Sequence, residues 1–509
     1  MTEQSVIVVG AGLAGLACAF DLARAGVAVT TLERSDHAGG VVGTLSSDGF
    51  RFETGPNTVQ ASSEEFRNLC GDLGIADRLV ASSPSAGARY LWLEDRLVAL
   101  PSSIPGFLTT PVLSVGGKLR VASELLRRFR LPANGVEPSL RDFFSERLGP
   151  EAATRLAGAF VRGVYAAELD ELGARSAFPR MWRACTEHGG LIRGVLAARK
   201  RAKPVLPGPA CKPSDLLSFP GGLRELVDAL AHAPRVNLVL GEEVRELARG
   251  PSGWSTRTSG GFALEATDVV LACPAPVAAR LCARAGAANE LTTTLERVSH
   301  ANVTLVHLGF RASDVPSFPG GFGYLVPPDQ VGGAAPRVLG TIFASSLFEG
   351  RAPEGCIAVT SFYRADTVNA WAAADVAREA TLDFSRALRL PRTPEPIVAR
   401  VLRWEGVIPR YAPGHRDRID ALETELARSA PGMHLAGSYT GGVSVEQVIG
   451  RGRAVARRIL ASNASTSSQE LGAARSAPAR GDTRADSNKE RPARAVAAAS
   501  SSARGGLLA

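Results

Sequence analysis

The chain is 509 residues long, with 45% hydrophobic and 21% charged residues, and this length predicts two or three domains rather than a single core. Its net charge of +8 accompanies only 6% aromatic residues and no recognisable nucleic-acid-binding module, which argues against nucleic acid as a partner. An anionic membrane surface or a substrate with several carboxylates fits this charge better.

The cysteines and histidines show no disulfide or metal pattern. The seven cysteines are scattered without a C-x-x-C pair, as is typical of reduced thiols, and the seven histidines lack ligand spacing, so we expect no metal. The first strand begins within five residues of the N-terminus, which leaves no room for a leader peptide, and no apolar run reaches the length of a membrane span. We therefore expect a cytoplasmic protein.

The N-terminal segment has the pattern of a dinucleotide-binding β-α-β unit. An apolar strand at residues 5–9 runs into Gly10-Ala11-Gly12-Leu13-Ala14-Gly15, and a second apolar stretch ends at Glu33. In such units the three glycines permit the tight turn, the approach of a diphosphate and the packing of helix on sheet, respectively. Glu33 is placed to accept the ribose hydroxyls, and an acid there argues against NADP.

Two following segments distinguish FAD from NAD. The pair Gly39-Gly40 follows the acid closely, as in many flavoprotein oxidases and desaturases. The stretch at residues 50–57 reads F-R-F-E-T-G-P-N and resembles the F-E-x-G-P block that protoporphyrinogen oxidases place beside the flavin ring. The chain thus resembles the protoporphyrinogen oxidase family.

Later segments resemble further blocks of this family, in the same order along the chain. They are Ser218–Leu223 (F-x-G-G-L), Gly321–Pro327 (G-F-G-x-L-V-P), Ile408–His415 (I-P-x-Y-x-x-G-H) and Leu435–Val445. Ordinary turn chemistry accounts for single glycine pairs but not for the ordered set. The resemblance spans residues 5–460.

The resemblance implies an α/β fold: a Rossmann-like FAD-binding domain of the glutathione-reductase/amine-oxidase type, an α+β substrate domain and a helical membrane-facing region. Because flavin segments recur at both ends of the chain, the FAD-binding domain is predicted to be discontinuous, with residues 1–82, 222–283 and 430–460. Residues 83–98, 206–221 and 284–429 are predicted to form the substrate domain. Residues 99–205 are predicted to be mostly helical, and residues 461–509, which are poor in large apolar side chains, a disordered tail.

The family resemblance also implies noncovalent FAD, because Ser438 and Tyr439 stand in the block where monoamine oxidases carry a flavin-linking cysteine. The residues expected to contact FAD come from both ends and the middle of the chain: Gly10, Gly12, Leu13, Ala14, Gly15, Glu33, Arg34, Gly39, Gly40, Gly55, Pro56, Asn57, Val244, Trp404, Gly437, Val443, Ser444 and Val445.

The expected substrate contacts are likewise carried over from the family. Arg89 opens an R-Y-L-W strand that matches the propionate-binding strand, so we expect it to bind a carboxylate with two hydrogen bonds. Phe322 and Leu325 match residues that sandwich pyrrole rings, Ile342 falls at another apolar contact, and Asn57 is placed to meet both flavin and substrate. Without the motifs, core packing and a surface arginine would explain these residues equally well.

The reaction implied by the resemblance is the six-electron oxidation of protoporphyrinogen IX to protoporphyrin IX, with molecular oxygen as acceptor and hydrogen peroxide as product. The flavin N5 accepts the hydride, so no catalytic side chain is assigned. Coproporphyrinogen III is the alternative substrate. A flavin amine oxidase or carotenoid-type desaturase, and a flavin-binding protein without turnover, are the other hypotheses. A homodimer is compatible with the resemblance.

A basic stretch at residues 118–130 has apolar residues at helical spacing and five basic residues, the composition of an interfacial helix. The resemblance to monotopic relatives, rather than this composition alone, implies peripheral attachment to the inner face of the cell membrane. An ordinary amphipathic helix packed on its own core is the alternative.

Overall fold

The computed structural model describes residues 4–199, 205–251, 253–330 and 337–476. Its strands are β1 (Ser5–Val9), β2 (Ala28–Leu32), β3 (Thr44–Ser47), β4 (Phe50–Glu53), β5 (Val59–Gln60), β6 (Val80–Ala81), β7 (Arg89–Leu93), β8 (Arg96–Ala99), β9 (Leu216–Ser218), β10 (Asn237–Val239), β11 (Val244–Gly250), β12 (Gly253–Thr258), β13 (Ala263–Ala266), β14 (Asp268–Leu271), β15 (His300–Arg311), β16 (Gly323–Leu325), β17 (Val338–Ile342), β18 (Cys356–Arg364), β19 (Val398–Pro409) and β20 (Met433–Leu435).

Its helices are α1 (Leu13–Arg24), α2 (Glu64–Asp72), α3 (Ile104–Thr109), α4 (Val115–Ala122), α5 (Leu140–Leu148), α6 (Pro150–Ala152), α7 (Ala159–Tyr165), α8 (Ala174–Ala177), α9 (Pro179–His188), α10 (Leu191–Arg199), α11 (Arg224–Ala231), α12 (Ala275–Arg284), α13 (Asn289–Glu296), α14 (Ala344–Leu347), α15 (Ala365–Val368), α16 (Ala373–Ala387), α17 (His415–Ser429) and α18 (Val445–Ser476). The chain divides into two units, Met1–Leu460 and Ala461–Ala509, and the sheets described below belong to the first.

The first sheet is five-stranded and parallel, in the order β10-β2-β1-β14-β20. The side chains of β1 are buried on both of its faces, with Val6 and Val8 in one apolar cluster and Ile7 and Val9 in another. Burial on both sides is why this strand reads as a continuous apolar run. The β1–α1 turn lies at the carboxyl ends of these parallel strands.

The second sheet has seven strands in the order β19-β15-β18-β17-β16-β7-β8. One face packs on α16 through side chains such as Tyr324, Tyr363 and Phe384. Residues paired directly across neighbouring strands share a face, so the register defines the opposite one. We call it the Trp404 face; it carries Arg89, Leu91, Leu305, Leu325, Ile342, Phe362, Arg364 and Trp404.

The short strand β9 connects the two expected domains. The sequence analysis assigns it to the substrate domain, but it pairs with β5 and β6, which lie in the expected FAD-binding domain. Strand pairing therefore ties residues 216–218 to residues 59–60 and 80–81.

The basic stretch at residues 118–130 is not a continuous helix, contrary to the sequence-based expectation. Helix α4 ends at Ala122, a 3₁₀ turn covers Ser123–Leu126, and the chain is extended at Arg127. The cause is the buried Glu124, whose carboxylate pairs with Arg147 at 2.5 Å and accepts the backbone N–H of Leu191 at 2.7 Å. These contacts turn the chain away from the helical path that the spacing of its apolar residues predicts.

The boundary of the predicted disordered tail is wrong. Helix α18 continues beyond Leu460 to Ser476, so residues 461–476 are helical, and residues 477–509 lie outside the described residues. The alanines, Gln469, Glu470, Leu471 and Arg475 of this stretch have favourable helix propensities, and the stretch extends a helix that is already formed at Leu460. Within the described part of the chain, no helix combines the length and hydropathy needed to cross a membrane.

Candidate functional site

The β1–α1 turn is shaped by its glycines. Gly10 has a φ of +106°, which L side chains rarely adopt, and a Cβ at Gly15 would overlap the carbonyl oxygen of Gly10. A Cβ at Gly12 would meet no atom within 4 Å, so open space lies beside this residue. Gly12 caps α1 without any side-chain hydrogen bond, which leaves the first N–H groups of the helix, at Leu13 and Ala14, available to an anion.

Glu33 lies at this turn, as the sequence predicts. Its carboxylate accepts hydrogen bonds from the backbone N–H of Ala11 at 2.8 Å and of Ser35 at 3.0 Å. Its own carbonyl accepts the N–H of Glu242 at 2.8 Å, which brings the start of β11, with Val244, alongside. Arg34 is exposed beside the acid.

The glycine pair joins this turn to the F-E-x-G-P segment. Gly39 donates its N–H to the Ala11 carbonyl at 2.8 Å. Further along the same loop, the Val41 carbonyl accepts the Thr54 hydroxyl at 3.1 Å, and it lies where a Cβ at Gly55 would be. The loop of Gly39 and Gly40 therefore lies between the helix terminus and Gly55-Pro56-Asn57, so the structure brings these predicted cofactor residues together.

The buried Glu53 holds the start of the Thr54–Asn57 segment in place. It is buried, and its carboxylate accepts the Thr44 hydroxyl at 2.9 Å, accepts the Leu223 N–H at 3.1 Å and pairs with Arg351 at 3.1 Å. Burial raises the pKa of Glu53 to about 7, even though Arg351 and the two hydrogen bonds oppose the shift. These contacts fix the position of the residues that follow, from Thr54 to Asn57.

The segment then crosses to the seven-stranded sheet. Trp404 donates its indole N–H to the Thr54 carbonyl at 2.7 Å, and the Phe52 ring stacks on the buried His307 with centroids 5.0 Å apart. Asn57 donates its amide to the Gly55 carbonyl at 3.0 Å. The predicted flavin-ring segment and the Trp404 face thus border the same region.

The C-terminal block approaches from the other side. Helix α18 crosses α1 so closely that a Cβ at Gly452 would overlap the Ala14 carbonyl oxygen. Ser444 caps α18 and exchanges hydrogen bonds with Gln447, and Val443 packs against the helical region. The N-terminus of α18, with Ser444 and Val445, lies about two helical turns before this crossing, and Gly437 is at the turn that precedes it.

Two side chains of the I-P-x-Y-x-x-G-H segment hold this block, and the sequence analysis did not assign them. Tyr411 donates its hydroxyl to the Ser438 carbonyl at 2.7 Å, and His415 Nε2 lies 2.7 Å from the Tyr439 carbonyl. Because a carbonyl only accepts, Nε2 of His415 carries the proton. Burial lowers the His415 pKa to about 4 and keeps it neutral. The available signal was the motif itself, in which Tyr and His stand four residues apart, with His415 the first residue of α17.

Apart from Asn57, which lies in the loop after β4, the predicted substrate residues lie on or directly before the adjacent strands β7, β16 and β17. The Arg89 guanidinium stands over the Phe322 ring, 5.5 Å from its centroid. Arg89 and Ile342 both pair with Gly323, and Phe322 and Ile342 pack against the same apolar cluster. Leu325 lies two residues further on, in contact with α7 at Gly163.

These features fit FAD. The N-terminus of α1, with open space beside Gly12, suits a diphosphate, and Glu33 suits a ribose. The Gly55-Pro56-Asn57 segment, which follows the Thr54 carbonyl held by Trp404, suits a flat ring. Among the described residues, no group of His, Cys, Asp and Glu side chains is arranged to hold a metal ion.

Known proteins share this architecture. The sequence pattern of the flavin containing amine oxidoreductases matches residues 13–460. A coproporphyrinogen III oxidase of Propionibacterium freudenreichii is 30% identical over 497 residues, which cover 89% of this chain and 90% of that protein. The chloroplastic protoporphyrinogen oxidase of Nicotiana tabacum is 27% identical, over 88% of this chain and 84% of that protein.

Solved structures agree on the fold. A crystal structure from Exiguobacterium sp. 255-15 has a TM-score of 0.75 at 22% identity and covers 90% of this chain and 99% of its own. A putrescine oxidase triple mutant has a TM-score of 0.67 at 18% identity, with 90% and 99% coverage. The predicted fold class and FAD cofactor are confirmed. The chain belongs to the family of flavin-containing amine oxidoreductases, is an FAD-dependent oxidoreductase, and groups with the porphyrinogen oxidases of that family.

Proposed function

We propose that the protein oxidises a porphyrinogen to the corresponding porphyrin. The observation that carries the proposal is the Trp404 face. It combines Arg89, a cation at one edge that donates no hydrogen bond to any described residue, with apolar side chains and direct contact to the expected flavin segment. FAD, when bound, accepts the hydrides. The protein residues bind a propionate at Arg89, orient the macrocycle on Leu325 and Ile342, and exclude water from its ring.

The overall reaction removes six electrons and six protons from the macrocycle. With molecular oxygen as the acceptor, three oxygen molecules become three molecules of hydrogen peroxide. The test is porphyrin fluorescence recorded together with oxygen consumption and peroxide, using the FAD-loaded protein with protoporphyrinogen IX and with coproporphyrinogen III. We expect three peroxides per porphyrin. Turnover of an amine under the same conditions without turnover of either porphyrinogen would favour an amine oxidase instead.

We further propose that residues 104–131 contact an anionic membrane surface. No residue of α3 or α4 is fully buried, and several apolar side chains of residues 104–131 face solvent, with Leu126 85% exposed and Ile104 80% exposed. Arg127, Arg128 and Arg130 are exposed beside them. Apolar side chains flanked by cations are the composition of a surface that inserts into a lipid interface. The proposed location is the inner face of the cell membrane.

A further inference from the structure

Arg162, on α7, is a buried cation with unused hydrogen-bonding capacity. Its side chain is 7% exposed, its guanidinium donates no hydrogen bond to any described residue, and its Nε is buried without an acceptor. The nearest carboxylate oxygen, of Glu168, lies 3.4 Å from Nε. A charge-assisted hydrogen bond is normally about 2.7–2.9 Å long, so this pair is loose. Burial lowers the Arg162 pKa, and Glu168 only partly offsets the shift.

A second cation adjoins Arg162. The Glu168 oxygen that faces Arg162 lies 3.7 Å from Arg364 Nη1, so two guanidinium groups share one carboxylate. Arg364 also pairs at 2.8 Å with Asp366, whose side chain is 61% exposed. Nearby, Arg410 is paired with Glu171 at 3.0 Å. Nε of Arg410 is also buried without an acceptor, but among these three arginines Arg162 has the longest distance to its nearest paired carboxylate.

This pair of arginines lies at the edge of the Trp404 face. Arg364 is on that face by register, opposite Val303, and α7 lies across the same face because Gly163 packs on Leu325. Ala166, which follows α7, packs with Leu305 and Trp404. Arg162, one residue before Gly163, therefore belongs to the wall of the proposed substrate site.

Arg89 and Arg364 stand at opposite corners of this face. The register runs from Arg89 through Gly323 and Ile342 to Thr360, which is three strand spacings or about 14 Å. Arg364 lies four residues further along β18, about 13 Å away, so the two backbones are roughly 20 Å apart. Leu325, Ile342 and Phe362 provide apolar surface between them.

We propose that Arg162, together with Arg364, forms a second carboxylate-binding site that takes a propionate on the edge of the macrocycle opposite to the one held by Arg89. The inference rests on the proposed oxidation of a porphyrinogen. Coproporphyrinogen III carries a propionate on every pyrrole and so presents carboxylates at both corners. Protoporphyrinogen IX has its two propionates on one edge and leaves one corner unused. The second site therefore favours coproporphyrinogen III.

The test compares KM values for the two porphyrinogens in FAD-loaded Arg162→Met, Arg162→Lys and wild type. Losing one charged hydrogen bond predicts an increase of about tenfold or more in KM for coproporphyrinogen III with Arg162→Met, and less than about threefold for protoporphyrinogen IX. Arg162→Lys should fall between, because a point charge lacks the two-pronged geometry. Arg183→Met, an exposed arginine on α9, serves as the control and should change neither value.

Equal changes for both substrates, or no change, would overturn the inference. If Arg162→Met does not retain FAD, Arg162→Lys is the deciding variant. The ratio of its KM for coproporphyrinogen III to its KM for protoporphyrinogen IX must then differ from the wild-type ratio by about threefold or more. Equilibrium binding of coproporphyrin III and protoporphyrin IX to each holoprotein should show the same selectivity without turnover. A wild type that oxidises neither porphyrinogen would defeat the proposed function itself, whereas an active wild type with an unchanged ratio would defeat only this site.

Discussion

At the residue scale, a substitution of Arg89 tests substrate binding separately from the chemical step. Its guanidinium lies over Phe322 and donates no hydrogen bond to any described residue, so it is free to bind a carboxylate. Arg89→Ala removes a charged hydrogen bond worth roughly 1.5–3 kcal/mol, so KM should rise about 10- to 150-fold. Turnover at saturation should fall much less, because the contact is similar in ground and transition states.

Steady-state kinetics at confirmed FAD occupancy provide the measurement for Arg89. Arg89→Lys should recover part of the loss. Arg96→Ala, an exposed arginine on the neighbouring strand β8, is the matched control and should leave KM unchanged. A KM for Arg89→Ala equal to that of the wild type would remove Arg89 from the substrate site.

Gly12 makes a second prediction at this scale. A Cβ there would point into open space in front of α1, where the cofactor's diphosphate is expected, so Gly12→Val should abolish FAD binding without unfolding the protein. Gly250→Val is the control, since that glycine also has open space but lies at the far end of β11. Flavin released by acid precipitation, compared with the circular dichroism of each variant, checks the result. Full flavin content in Gly12→Val would refute the placement.

At the element scale, the segment with Tyr411 and His415 couples pH to stability. The folded-state pKa of His415 is about 4, below the ordinary 6.5, so the unfolded chain binds a proton more readily. Stability should therefore fall as pH drops from 6.5 towards 4, by up to about 3 kcal/mol. His415→Gln keeps an Nε2–H donor without a titrating group.

Urea unfolding of wild type and His415→Gln between pH 8 and pH 4 tests this coupling. We expect the difference in free energy of unfolding to shift in favour of the glutamine variant as the pH falls. Other buried titrating groups, such as His307 and Glu53, are common to both proteins and cancel in the difference. Two curves that stay parallel over this range would contradict the role assigned to His415.

The arginines that follow α4 are predicted to bind an anionic membrane surface. Replacing Arg127, Arg128 and Arg130 with glutamine should weaken binding to anionic vesicles by about 1 kcal/mol per charge. The control replaces Arg378, Arg386 and Arg392, which are exposed in or just after α16. Co-sedimentation with vesicles rich in phosphatidylserine measures both triple variants. Equal binding of the two would show that the exposed leucines and arginines do not form the membrane contact.

The elements also show what sequence could and could not predict. The turn from Gly10 to Gly15 and the acid Glu33 belong to one local unit, so their spacing was enough to place them correctly. The hydrogen bonds of Tyr411 and His415 to residues 438 and 439 join distant segments and depend on register, which sequence spacing does not encode. The break after α4 arises from the buried pair of Glu124 and Arg147, which outweighs the local helical pattern.

At the scale of the whole molecule, all residues of the proposed site lie within residues 1–460. A chain ending at Leu460 keeps the contact of Gly452 with Ala14 and the pairs of Arg453 with Asp21 and Asp72, so its FAD content and turnover should match the full chain. A chain ending at Ser444 loses these contacts and should not retain FAD. Flavin content per polypeptide and turnover of both truncations provide the measurement, and a large loss in the longer one would place part of the site beyond Leu460.

The central claim is that a porphyrinogen gives its hydrides to the FAD held by this chain. The direct test is anaerobic mixing of the FAD-loaded protein with a porphyrinogen, with flavin absorbance and porphyrin fluorescence recorded together. We predict that the flavin is bleached as porphyrin forms, and that admitted oxygen restores the flavin colour with release of peroxide. Flavin that stays oxidised in the presence of coproporphyrinogen III and of protoporphyrinogen IX would contradict the account.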